Sequence, residues 1–106
     1  MAKSKKTNKT KLGFSKVEVL GHHVTIKETD DESLLMAGGR TVPAGWCDCN
    51  NGTIVIDNRF SKDYMRLTFF HELLHMIDFI LHNEENKYDE ETVNVLARGL
   101  NTVRLE

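Results

Sequence analysis

Residues 62–83 read KDYMRLTFFHELLHMIDFILHN, a stretch with no glycine or proline. Ser61 precedes it as a natural N-cap and Asp63 lies in the first turn, where the helix dipole favours an acid, so the stretch predicts one long helix. Within it, Leu67, Phe70, Leu74, Ile77 and Leu81 form one apolar row, and Phe69, Leu73, Met76 and Ile80 form another. A helix apolar over most of its circumference belongs in a core.

Around this helix the rest of the chain falls into place. Residues 16–20 and 24–29 alternate apolar and polar side chains about Gly21-His22, which predicts two strands and a tight turn. His22 and His23 are adjacent on that turn, point to opposite faces and are expected to meet solvent rather than share a site. An acidic loop over residues 30–33 precedes the short apolar piece Leu34-Leu35-Met36 and the breakers Gly38-Gly39. Pro43 marks a sheet edge or strand start, and Asn50-Asn51-Gly52 is a hairpin signal. Thr53-Ile54-Val55-Ile56-Asp57 is the clearest strand. After a polar connection at residues 84–87, a second helix starts near Tyr88 or Asp89, with Val93, Leu96, Ala97, Leu100 and Val103 as its apolar stripe. The fold class is α+β: a small antiparallel or mixed β-sheet on a buried helix, with a second helix at the C-terminus.

Inside the long helix, His71-Glu72-Leu73-Leu74-His75 has the HExxH spacing. Residues four apart project from one helix face, so both imidazoles can reach one tetrahedral ion, while Glu72 is turned about 100° away as a general base. Five histidines in 106 residues make the spacing attainable by chance, so its setting must decide. Imidazoles and a carboxylate in so apolar a helix would each cost several kcal/mol unless paired or metal-bound, which favours ligands for Zn²⁺.

A catalytic zinc takes three protein ligands and leaves one position open. Asp78, His82, Glu90 and Glu91 are the candidates for the third. His82 lies about 10 Å beyond His75 along a straight helix and overshoots, and a metzincin-type extension would need a glycine break and a histidine at position 81, where this chain has Leu81. Asp78 is suited to orient an imidazole or nearby backbone. On the second helix Glu90 lies about 80° from the centre of the apolar stripe, whereas Glu91 lies nearly opposite it, beside Val95 and Arg98. Glu90 is the better ligand, with Asn94 one turn on to steady it. Tyr64, two turns before His71, is too far to serve a developing oxyanion, and only a flexible loop could bring Tyr88 there.

Composition sets the bounds. A chain of 106 residues with 40% apolar residues supports one small domain, expected at residues 14–106, and no apolar run reaches the roughly 20 residues of a membrane span. With no secretory signal in evidence, a cytoplasmic setting is expected. Lys3, Lys5, Lys6, Lys9 and Lys11 give residues 1–13 a basic, acid-free character that predicts a disordered tail, while the remainder is acidic and unsuited to nucleic acid. Any nucleic-acid contact would be weak and made through that tail. Cys47 and Cys49 are too close to staple a fold and are read as free thiols, with capping of the zinc by one of them the rival reading.

The segment from Gly52 to Leu100 resembles the ImmA/IrrE-type zincins, above all their short bacteriophage-encoded versions. The likeness is carried by the β-branched strand, by Leu67-Thr68-Phe69-Phe70-His71-Glu72-Leu73-Leu74-His75 and by Glu90-Glu91-Thr92-Val93-Asn94-Val95-Leu96-Ala97, about half the chain. In that family a glutamate three residues before an Ala-Asn pair is the third ligand, and Val93-Asn94 here would make it Glu90. Leu74 stands where the family often has glycine, and the usual N-terminal helix is absent. The resemblance implies a metallopeptidase acting on a protein or peptide, such as a transcriptional repressor of a mobile element, in the host cytoplasm if phage-encoded. Residues 53–57 would then be the edge strand that receives the peptide. Two other readings stay open: a zinc-stabilised binding module with little hydrolysis, and a metal-free core in which the histidines satisfy buried polar groups.

Overall fold

The computed structural model describes residues 10–39 and 44–105. Most of the basic tail, residues 1–9, lies outside the described residues, as does Pro43 with its expected strand start. Among the described residues the architecture is α+β, with four strands in one mixed sheet and three helices. Strands β1 (Lys16–Val19) and β2 (His22–Thr29) form an antiparallel hairpin. Its turn is Leu20-Gly21, both at positive φ (51° and 80°), one residue earlier than the alternation suggested. This is the geometry whose twist suits a two-residue hairpin, and it leaves His22 and His23 exposed at the start of β2.

A short helix, α1 (Glu32–Met36), occupies what the sequence presents as an acidic loop. Asp31 accepts a hydrogen bond from the Ser33 N–H, so the acid that reads as loop polarity is a helix cap. Strands β3 (Gly45–Asp48) and β4 (Thr53–Asp57) follow as an antiparallel hairpin, and β4 runs parallel to β2. The order across the sheet is β1-β2-β4-β3. Thr53–Asp57 is therefore an interior strand, which corrects the expectation that it is the edge. Its unbroken β-branched run suits burial on both faces: Ile54, Val55, Ile56 and Asp57 are all buried.

Helix α2 (Lys62–Leu81) is capped by Ser61, which accepts from the Tyr64 N–H, and no residue from Met65 to Ile80 is exposed. Its two apolar rows meet different neighbours. Met65, Phe69 and Met76 enter one cluster with Val24, Ile26, Ile54 and Ile56 of the sheet, while Leu74, flanked by Leu67 and Phe70, packs on Val93 and Ala97 of α3 (Glu90–Asn101). Of the stripe expected on α3, Val93 and Ala97 are buried, whereas Leu96, Leu100 and Val103 are exposed. At the other end of the chain, Leu12 is buried in the sheet-side cluster, and Glu28 accepts from the Lys11 and Leu12 N–H groups. The packed domain thus begins before residue 14. No helix among the described residues is long and apolar enough to cross a membrane.

Strand β3 can lie close to α2 because of Gly45. A Cβ there would come within 2.7 Å of both Thr68 Cγ2 and Val55 O, too near for either to be relieved by a flexible side-chain end. We expect Gly45→Ala to lose about 1–3 kcal/mol of stability in urea unfolding. Gly99→Ala should gain up to about 1 kcal/mol, since Gly99 is helical and a Cβ there meets nothing within 4 Å. Equal signs for the two would contradict this packing.

Candidate metal centre

His71 and His75 stand one turn apart on the face of α2 that meets α3, half-buried, with their rings 4.9 Å apart. Glu90 is the first residue of α3, where Asp89 caps the helix by accepting from the Thr92 N–H at 2.7 Å. The two helices run antiparallel, with Glu90 opposite the histidines and Asn101 bonded to Arg66 at the far end. Glu90 straddles the histidine pair: Oε1 is 3.3 Å from His71 Nε2 and Oε2 is 3.1 Å from His75 Nε2, while the two Nε2 atoms are 3.3 Å apart. Glu91, the rival for third ligand, is exposed and outside this group.

These three contacts cannot all be hydrogen bonds. A neutral imidazole has one N–H, so if both Nε2 atoms donate to Glu90 they confront each other as two donors, and if one accepts from the other its lone pair faces the carboxylate. A shared cation removes the conflict. Donors about 2.0–2.1 Å from a tetrahedral ion lie about 3.3 Å apart, which is the spacing found. Donor atoms of His71, His75 and Glu90 all fall within 4.8 Å of one another, and this group could hold a metal ion.

The remaining site residues sort by position. Glu72 is buried and lines, with His71, a cavity of about 230 Å³ between α2, α3 and the start of β3. Asn94 faces this cavity one turn beyond Glu90. So does Tyr64: the cavity extends from His71 toward the start of α2 and takes in that turn. Tyr88 instead packs edge-on against His82, with ring centroids 5.6 Å apart. Arg98, read from the sequence as part of the outer face with Glu91, also lines the cavity. Helical angle alone could not reveal this, because the recess also takes in Ala44 and Gly45 at the start of β3.

Asp78 holds an imidazole and nearby backbone, as its place on the helix suggests, and the imidazole is that of His82. It is fully buried, and its carboxylate accepts from His82 Nδ1 at 2.7 Å and from the Lys87 and Tyr88 N–H groups at 2.9 Å each. Burial alone would raise its pKa, but these donors outweigh it and hold the carboxyl below its ordinary range. Asp57 is lowered too, chiefly by the guanidinium of Arg59, which forks onto it at 2.9 and 2.7 Å. Cys47 and Cys49 place their Sγ atoms 3.1 Å apart on the helix-facing side of the sheet. Burial pushes both thiols up, so they stay protonated at neutral pH, and neither belongs to the donor group.

Comparison with protein-family models, with curated proteins and with solved structures gives no match for this chain. The site therefore rests on its own chemistry. Glu90→Ala should weaken Zn²⁺ binding at least 100-fold in a chelator competition, and Glu91→Ala by less than threefold; equal losses would overturn the assignment of donors.

Asp57 and Asp78 set the acid limb. Their folded pKa values lie below the unfolded value of about 3.9, so the unfolded chain takes up protons first and stability falls as pH drops through about 4 and below. Urea unfolding of the metal-free chain should weaken steeply below pH 4. Asp78→Asn should flatten that slope, at a cost of about 3 kcal/mol or more at neutral pH. An unchanged slope would show that Asp78 is not the group responsible.

Proposed function

We propose that this chain is a zinc-dependent metallopeptidase of minimal zincin-like build, acting on a protein or peptide. The observation that carries the reading is the closure of two imidazoles and one carboxylate at tetrahedral spacing, with a buried glutamate next in sequence to the first histidine. Two nitrogens and one oxygen form a donor set well suited to zinc, and three protein ligands are the number that leaves a catalytic position open. When bound, zinc supplies Lewis acidity, lowering the pKa of an attacking water and polarising the scissile carbonyl.

The chain's own residues do the rest. His71, His75 and Glu90 hold the ion. The carboxylate of Glu72, facing the same cavity, takes a proton from the attacking water and returns it to the departing amide nitrogen. Strand β3 lies at the sheet edge beside this cavity and is the strand that an extended peptide would join. Asp57 N–H donates to Ala44 O, and with Gly45 paired to Ile56 the alternation of antiparallel bonding turns the N–H and C=O of Gly45 and Cys47 to the open side. Those four groups are the docking edge. A phage origin, a repressor as substrate and action in the host cytoplasm rest on the sequence resemblance alone.

Purified protein should contain one zinc per chain. Glu72→Gln should keep the zinc and lower kcat on a susceptible peptide by about 10²–10⁴. Absence of stoichiometric zinc would end the reading, and zinc retained with unchanged turnover in Glu72→Gln would leave a metal-stabilised binding module.

A further inference from the structure

Among the described residues, Arg98 is the arginine that lines the cavity beside the donor group. Arg98 lines it from α3, facing Tyr64 and Thr68 of α2 across the recess, while Glu72 and His71 stand at the end nearer the donors. The other described arginines are engaged. Arg59 pairs with Asp57 and Glu32, Arg66 bonds Asn101 and lies over Phe70, and Arg104 bonds the carbonyls of Asn101 and Val103. Arg98 enters no ion pair or hydrogen bond among the described residues, and it is an exposed side chain at the border of the recess. A guanidinium has five N–H donors in a planar fork that matches a carboxylate in two parallel bonds.

We infer that this cavity is a specificity pocket for a carboxylate on the substrate, bound by Arg98 with Asn94 beside it. The inference rests on the metallopeptidase reading and adds the chemical class that the site selects. Arg98 follows Glu90 by eight residues, about 12 Å along the helix axis. At about 3.3 Å per extended residue, and with the arginine side chain reaching back, the carboxylate lies within about three residues of the bond at the donor group. It belongs either to an Asp or Glu side chain or to the peptide's own C-terminus. Neutral and basic residues gain nothing from Arg98, and basic ones are repelled.

The test uses the zinc-loaded full chain and three hydroxamates built on one dipeptide, since a hydroxamate reports the metal site directly. One ends in glutamine amide, one in glutamate amide and one in glutamine with a free C-terminal carboxylate. The expected result is at least tenfold tighter binding of one carboxylate form than of the glutamine amide, and which form it is identifies the source. Arg98→Gln should remove that preference and Arg98→Lys should retain part of it, with zinc content and urea midpoint unchanged in both. Equal binding of all three to the zinc-loaded chain, or a preference that survives Arg98→Gln, overturns the carboxylate pocket and leaves the metal site standing. Failure of all three to bind would overturn the metallopeptidase reading and the pocket with it.

Discussion

The buried carboxylate of Asp78 is the joint on which the two-helix half of the molecule turns. It sits in the last full turn of α2 and takes up donors from His82, at the helix end, and from the backbone of Lys87 and Tyr88 across the loop. Asn83 and Glu84, both at positive φ, reverse the chain between those points. Left-handed conformations cost free energy at residues other than glycine, and a buried anchor with three donors offsets that cost. Because Tyr88 is fixed, Asp89 can cap α3 and Glu90 starts the helix opposite His71 and His75. The donor group is a consequence of where this loop closes.

Much of this was legible in the sequence, because the relevant signals are local. The cap at Ser61, the two apolar rows of α2, the hairpin signal at Asn50-Asn51-Gly52 and the β-branched run of residues 53–57 depend on neighbours a few residues apart, and each corresponds to an observed element. The face argument that preferred Glu90 to Glu91 used the same periodicity and agrees with the grouping found. What was not legible depends on order across the sheet. Whether residues 53–57 lie inside or at an edge is set by β2 pairing in parallel on one side and β3 on the other, and no local pattern separates an interior strand from a hydrophobic edge. The cavity role of Arg98 was hidden for the same reason; for Asp78 an imidazole or nearby backbone was legible as the partner, but not that the backbone lies up to ten residues on in an irregular loop.

Polar groups gather where α2 leaves the apolar core. The sheet-facing row of α2 is sealed by Val24, Ile26, Ile54 and Ile56, and on that side the two thiols behave as small apolar groups held protonated by burial. The other row meets a shorter helix whose exposed Leu96 and Leu100 show how little of α3 is sunk into the domain. Histidine, glutamate and arginine side chains therefore border a recess that is neither core nor open surface. There charges keep partial access to solvent yet act on one another more strongly than in water.

The three donors are unequal in freedom. His71 and His75 belong to one continuous helix pinned on both sides, so their mutual spacing is set before any ion arrives. Glu90 sits on a separate element, and its side chain is 62% exposed. An ion held by all three would be gripped by a rigid pair and by a carboxylate whose place depends on the loop that Asp78 anchors. The third side of such a centre would then be set by the closure of the 82–89 segment, as the first two are set by the pitch of α2.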